Sequence, residues 1–208
     1  MKTTIKEMFD EAERANEQSA EDWQAGRTQR NEFIVAEESK RLREQWHLGN
    51  FATLYNEGVH AKLTFAEHLP EGDQPQPDFA VCDQSGVLHC HIEVTEWMEV
   101  RKRDKEYSGP YSECGRLVGN MPDPTDRLRA QLTKKIREKA PYYPSNTWLL
   151  IDDNVGLGLY SWANRPLGDV EVARTVVSEL MQTAPENISE VWLVREVSRP
   201  MTVHRLWS

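Results

Sequence analysis

Two carboxylates in the middle of the chain have the types and positions of residues that bind a metal ion. Asp78 opens a predicted strand after Pro77, and Glu93 lies between Ile92 and Val94 in the next predicted strand. A carboxylate among apolar strand residues is costly unless a cation compensates its charge. Because the two strands are joined by a short turn, their oxygen atoms can converge on one hard cation, Mg²⁺ or Mn²⁺. The pair therefore predicts a metal site.

The elements that must position these carboxylates are predicted from hydrophobic spacing and turn residues. The apolar run at 147–151 is typical of a strand covered on both faces. The predicted elements are a helix over 30–46 that ends before Gly49, strands over 61–66, 77–82 and 87–94, a helix from Asp123 that stops before Pro141, and the strand over 147–151. This order predicts an α/β domain with a mixed central sheet flanked by helices.

The two ends of the chain are predicted to differ in character. Residues 1–28 are acidic with few large apolar side chains, which predicts a frayed helical or flexible segment. Residues 169–183 are spaced like an amphipathic helix, and 190–194 and 201–207 are predicted strands, the last at an edge. One domain over 29–208 follows, with a core over 30–152 and an αβ extension over 153–208.

The carboxylates belong to a recognisable motif. Pro77-Asp78-Phe79 followed by Ile92-Glu93-Val94-Thr95-Glu96 resembles the PD-(D/E)xK signature of restriction-endonuclease-like nucleases, in an IEVTE variant found in uncharacterised bacterial proteins. The similarity covers residues 30–152, and the predicted element order is the αβββαβ order of that superfamily's core. The resemblance implies a metal-dependent nuclease that hydrolyses phosphodiester bonds, with DNA as the expected substrate.

The resemblance also implies roles for individual residues. Asp78 and Glu93 would bind the catalytic Mg²⁺ or Mn²⁺, and the backbone carbonyl of Val94 would add a ligand. Thr95 stands where the superfamily has a lysine, and a threonine cannot supply positive charge to the reacting phosphate. Related nucleases carry this basic group on the following helix, so Lys135 is the first choice to replace it.

The helix after the three strands offers more than one candidate for that role. Gln131, Lys135 and Lys139 are spaced at i, i+4 and i+8, which places them on nearly one helix face. On the first helix, Glu37 or its neighbour Glu38 is a possible further carboxylate for the metal shell, although a solvated glutamate is the commoner arrangement there.

Charge is distributed unevenly along the chain, whose net charge is −9. Residues 51–100 contain nine acidic residues and one lysine, whereas 101–145 contain 11 Lys and Arg and six acidic residues. This juxtaposition is expected where a cation-binding cluster meets a polyanion. Arg101, Lys102, Arg103 and Lys134 are the predicted nucleic-acid contacts.

Other constellations are weaker. His89-Cys90-His91 is not a predicted zinc site, because adjacent strand residues point to opposite faces and no second ligand pair is present. The acidic N-terminus and the lack of a long apolar run predict a cytoplasmic protein without a membrane span. Two alternatives to the nuclease remain open: a degenerate nuclease fold that binds nucleic acid or a protein partner, and a plain interaction protein. Homodimerisation is also possible.

Overall fold

The computed structural model describes residues 2–26, 37–59, 62–70, 72–96, 124–152, 170–195 and 201–208. These residues form a mixed sheet of seven strands that are ordered in space as they are in the chain. The strands are β1 (Thr3–Thr4), β2 (Leu63–His68), β3 (Phe79–Asp83), β4 (Leu88–Glu96), β5 (Thr147–Asp152), β6 (Ile188–Arg195) and β7 (Thr202–Trp207). Strands β1 to β4 pair antiparallel, β4, β5 and β6 pair parallel, and β7 closes the sheet antiparallel at its edge.

Helices cover both faces of this sheet. They are α1 (Ile5–Gln24), α2 (Glu37–Val59), α3 (Pro124–Lys134) and α4 (Val170–Met181); α3 continues into a π-helical turn (Lys135–Lys139) and a 3-10 turn (Ala140–Tyr142). All six residues of β5 are buried. Trp148 packs with the helices α1 and α2, whereas Leu149 packs with α3 and α4. The strand predicted over 147–151 is therefore an interior strand covered on both faces.

The acidic N-terminal segment is helical, as expected, but this helix packs into the core and is not the frayed segment that was predicted. Ile5, Met8 and Ala12 are buried and follow the spacing of one helix face. The Phe9 ring stacks on Trp46 of α2 with ring centroids 4.7 Å apart. Three or four apolar residues at the right spacing are enough to attach a helix whose other faces are acidic.

Helix α2 continues past Gly49 to Val59, so the predicted end before Gly49 was also wrong. A Cβ atom at position 49 would lie 2.0 Å from Cδ2 of Phe9, which means that the glycine makes room for the α1 ring. Glycine here serves close helix packing and does not end the helix. The remaining predicted elements agree with the structure to within a few residues at their ends.

Candidate active site

The pairing of β3 with β4 brings the two motif carboxylates together. Phe79 pairs with Ile92, so Asp78 and Glu93 are the next residues along the antiparallel ladder. The backbone N–H of Val94 donates a hydrogen bond of 2.7 Å to Asp78 Oδ2. Asp78 is thereby fixed against the strand that carries Glu93, at the point where β3 begins.

Glu93 is 1% exposed and faces the helices α3 and α4, because Val94 and Ile92 pack on the opposite face of the sheet. Its Oε1 atom accepts a hydrogen bond from Lys135 Nζ and lies 3.6 Å from Lys139 Nζ. Both lysines belong to the π-helical turn that follows α3, a kind of turn often found at functional sites. Lys135 and Lys139 therefore both compensate the buried charge of Glu93.

Lys135 makes a second contact with β4. Its ammonium group donates a hydrogen bond of 2.6 Å to the backbone carbonyl of Val94. One lysine thus bridges the glutamate and the carbonyl that follows it, while Asp78 accepts from the N–H of the same Val94. Asp78, Glu93, the Val94 carbonyl and Lys135 form one connected group, which we call the carboxylate site.

The environment of the carboxylate site disfavours the ionised form of Asp78. Burial of the Asp78 carboxyl group and the charges of Glu93 and Glu44 raise its pKa from 3.8 to about 7, against the opposing effects of Lys135 and the Val94 N–H. A raised carboxyl pKa next to a second carboxylate is typical of functional sites. An additional cation would stabilise the ionised form of Asp78.

Two oxygen atoms on the same face of β4 lack partners. Among the residues that the structure describes, neither Glu93 Oε2 nor Thr95 Oγ1 has a hydrogen-bond partner, and both residues are buried. Tyr143 lies nearby, and burial together with the charge of Glu93 raises the pKa of its phenol. Buried acceptor atoms without partners are costly, so Glu93 has acceptor capacity for the Tyr143 hydroxyl or for a ligand.

Sequence reasoning missed Glu44 of α2, which adds a third carboxylate at the edge of the site. Glu44 is 8% exposed, and its Oε2 atom lies 2.9 Å from Nε2 of His68. Burial alone raises its pKa, but the hydrogen bond with His68 and the charges of Lys40 and Lys135 leave the pKa below its ordinary value. No spacing within α2 distinguishes Glu44 from a solvated glutamate of the same helix, so its burial had no local signal.

A second buried contact between ionisable side chains, also missed, lies on the other side of the sheet. Nδ1 of His47 on α2 is 2.9 Å from Oδ2 of Asp152 at the end of β5. The side chains are 1% and 0% exposed. The sequence places Asp152 at a strand end, where a solvated aspartate is the ordinary expectation, so nothing in the pattern predicted this pair.

The structure describes some of the other predicted site residues and leaves the rest outside the described ranges. Gln131 lies one turn before Lys135 on α3 and is half-buried, whereas Lys134 is exposed. The side chain of Glu37 and the predicted DNA contacts Arg101, Lys102 and Arg103 lie outside the described residues. The structure therefore brings Asp78, Glu93, Lys135 and Lys139 together, whereas residues 101–103 lie outside the described ranges.

Residues 89–91 lie within β4. Cys90 is buried, and burial raises the pKa of its thiol. His89 packs edge-on against Trp148, with ring centroids 5.4 Å apart. Within the described part of the chain, no group of three or more His, Cys, Asp and Glu side chains is arranged to hold a metal ion.

The atoms of the carboxylate site still match the ligands of a hard cation. Mg²⁺ keeps several waters and takes one or two protein carboxylates, so a triad of ionisable side chains is not required. Asp78, Glu93 and the Val94 carbonyl supply two carboxylates and a carbonyl oxygen, and Glu93 Oε2 is a buried oxygen without a partner among the described residues. This donor set fits Mg²⁺ or Mn²⁺ and does not fit a soft metal.

Comparisons with protein-family models, curated proteins and solved structures gave no significant match to the chain. In the described ranges no helix is both long enough and apolar enough to cross a membrane. The functional argument therefore depends on the carboxylate site itself.

Proposed function

We propose that this protein is a metal-dependent nuclease of the restriction-endonuclease-like type that hydrolyses phosphodiester bonds in DNA. The observation that carries the proposal is the contact of Lys135 with both Glu93 and the Val94 carbonyl, beside Asp78. These are the four groups that the motif and the element order lead one to expect together. A chance match to the motif would not be expected to place a lysine 42 residues away in contact with Glu93.

The topology supports the same proposal. Helix α2, strands β2 to β4, helix α3 and strand β5 follow one another in the αβββαβ order of the superfamily core. The three antiparallel strands are followed by a parallel crossover from β4 to β5 through α3. This crossover brings the π-helical turn back over Glu93, since a connection between parallel strands must return across one face of the sheet.

In the proposed reaction, Asp78, Glu93 and the Val94 carbonyl would hold a Mg²⁺ or Mn²⁺ ion. Such an ion would supply a coordinated water of lowered pKa and positive charge for the phosphate. Lys135 supplies the positive charge that Thr95 cannot, and it neutralises the charge that develops on the phosphate oxygens. Lys139 lies further from Glu93 and is more exposed, so its role is to attract the phosphate backbone.

The basic stretch 101–145 supports a polyanionic substrate, because it adjoins the acidic stretch that contains both carboxylates. Arg101, Lys102 and Arg103 remain the proposed phosphate contacts. The net charge of −9 argues against broad non-specific binding, so affinity for DNA is expected to depend on this segment and to fall steeply with salt.

One observation favours a second candidate function, a nuclease fold that binds nucleic acid or a protein partner without cleaving. Lys135 pairs with Glu93 directly, and Thr95 replaces the motif lysine. A site whose lysine only neutralises its own carboxylate would be a structural remnant. In that case the protein would bind DNA equally well with and without Mg²⁺.

Cleavage of plasmid DNA and of short single-stranded DNA, with Mg²⁺ or Mn²⁺ and with EDTA, distinguishes the two functions. We expect metal-dependent cleavage that Asp78→Asn and Glu93→Gln each reduce by at least about 100-fold, because each removes a carboxylate ligand. Glu179→Gln is the matched control, since Glu179 is half-exposed and pairs with Arg129 on the α3 surface. Cleavage that persists in Asp78→Asn and Glu93→Gln would refute the nuclease proposal.

A further inference from the structure

The ammonium group of Lys135 occupies two of the atoms that the proposed function assigns to the metal ion. It contacts Glu93 Oε1 and lies 2.6 Å from the Val94 carbonyl oxygen. We propose that Lys135 is an internal competitor of the metal, so that a divalent cation binds Glu93 Oε1 and the Val94 carbonyl only by displacing the lysine. This inference rests on the proposed function, because it concerns the same site.

Direct competition follows from the contacts. A lysine ammonium and a metal ion would contact the same two oxygen atoms, and two cations at contact distance repel strongly in a poorly solvated site. Glu93 is 1% exposed, so its charge has little water to share between two cations. The two cations therefore exclude each other at Glu93 Oε1 and at the Val94 carbonyl.

The lysine is the partner that can move. Its side chain is 20% exposed while that of Glu93 is 1% exposed, so the ammonium group has a path to water that the carboxylate lacks. Lysine carries its charge on a flexible stem of four carbons. Glu93, by contrast, lies within β4 between paired neighbours on β3 and β5. Metal binding is expected to move Lys135 and leave Glu93 in place.

The negative charges around Glu93 favour a positively charged group at this site. Glu93, Asp78 and Glu44 are close enough to interact, and the positive charge of Lys135 acts on all three carboxylates. Lys135 therefore stabilises the fold while no metal is bound, at the expense of metal affinity. The exchange also releases an ammonium group beside the metal, where the proposed reaction requires a cation for the phosphate.

Calorimetric titration of Mn²⁺ into the full chain tests the competition without relying on activity. We expect Lys135→Met to bind Mn²⁺ at least about tenfold more tightly than the wild type, because the competing cation is gone. Lys134→Met is the matched control: it removes the same charge from the adjacent, exposed residue and is expected to change the affinity by less than about threefold. Affinity in Lys135→Met that is equal to or weaker than in the wild type would overturn the proposal.

A second measurement uses the wild-type protein, so it does not depend on how a variant folds. In protein labelled with ¹³C at lysine Cε, the Lys135 signal, assigned with Lys135→Arg, is followed as Mg²⁺ is added. Displacement predicts a shift toward the position of a free lysine at saturating Mg²⁺. A Lys135 signal that stays unchanged while Mg²⁺ saturates Asp78 and Glu93 would show that metal and lysine bind together, against the proposal.

These results separate the inference from the proposed function. Tighter Mn²⁺ binding in Lys135→Met that Glu93→Gln abolishes supports the competition even if no DNA is cleaved. Metal-dependent cleavage by the wild type with no gain of affinity in Lys135→Met leaves the nuclease standing and overturns the competition. If neither the wild type nor Lys135→Met binds Mn²⁺ through Asp78 and Glu93, both proposals are refuted.

Discussion

Glu93 and Asp152 are both buried carboxylates on neighbouring strands, yet they are compensated in opposite ways. Glu93 pairs with Lys135, whose side chain is 20% exposed. Asp152 pairs with His47, and both side chains are essentially inaccessible. The first pair can exchange its cation with solvent, whereas the second is sealed between α2 and the sheet.

This difference separates a site from a structural pair. A pair whose two side chains are both buried is closed to ligands from solvent, and removal of one member of such a pair is costly. An open pair beside two further carboxylates has access to cations and tolerates rearrangement. Burial of a charged residue is thus a poor guide to function unless the exposure of its partner is considered too.

The largest effect is expected for the sealed pair. Asp152→Ala should lower the free energy of unfolding by about 3 kcal/mol or more, because it removes one member of a pair whose side chains are 1% and 0% exposed. Chemical denaturation at pH 7.5 measures the loss, and Asp152→Asn, which keeps an acceptor oxygen, should lose less. A loss below about 1 kcal/mol for Asp152→Ala would remove the contrast between the two pairs.

Replacement of Asp78 at the carboxylate site should raise the free energy of unfolding, whereas replacement of Asp152 should lower it. Its pKa is raised from 3.8 to about 7 in the folded protein, so the unfolded chain releases this proton at lower pH than the native state. The contribution of Asp78 to stability is therefore fully present below pH 3.8 and is lost as the pH rises through 7.

Asp78→Asn should consequently be more stable than the wild type at pH 8, by about 1–3 kcal/mol. Because Asp78 keeps part of its surface in water, this is less than the full shift would give. The difference in melting temperature between variant and wild type should grow from pH 4 to pH 7 and then level off. A difference that is independent of pH would show that Asp78 is not the strained carboxylate of the site.

The smallest effects are expected for the two lysines. Lys135→Met at pH 8 should cost about 1–2 kcal/mol, since a charged hydrogen bond to a buried carboxylate is lost. Lys139→Met should cost less than about 0.5 kcal/mol, because Lys139 is 43% exposed and 3.6 Å from Glu93 Oε1. Thermal denaturation of both variants in EDTA measures which variant loses more stability. Equal losses would mean that the two lysines share the charge of Glu93 evenly.

The sequence predicted part of the arrangement of side chains at the carboxylate site. Strand alternation separated Glu93 and Thr95 from Val94, and helical spacing placed Lys135 and Lys139 on one face of the next helix. Glu44 escaped prediction because a glutamate on an amphipathic helix has the same local pattern whether it faces water or a strand. Its burial depends on where β2 and β3 lie beneath α2, which no spacing within the helix encodes.

The sequence by itself determined the order of helices and strands, the face of β4 that carries Glu93, and the pairing of two carboxylates across a hairpin. These follow from periodicity and turn chemistry, which act over a few residues. Only the tertiary structure decided that α1 packs into the core, that α2 continues through Gly49 against Phe9, and that His47 seals Asp152. Each of these depends on a contact between residues far apart in the chain, and local pattern carries no record of such contacts.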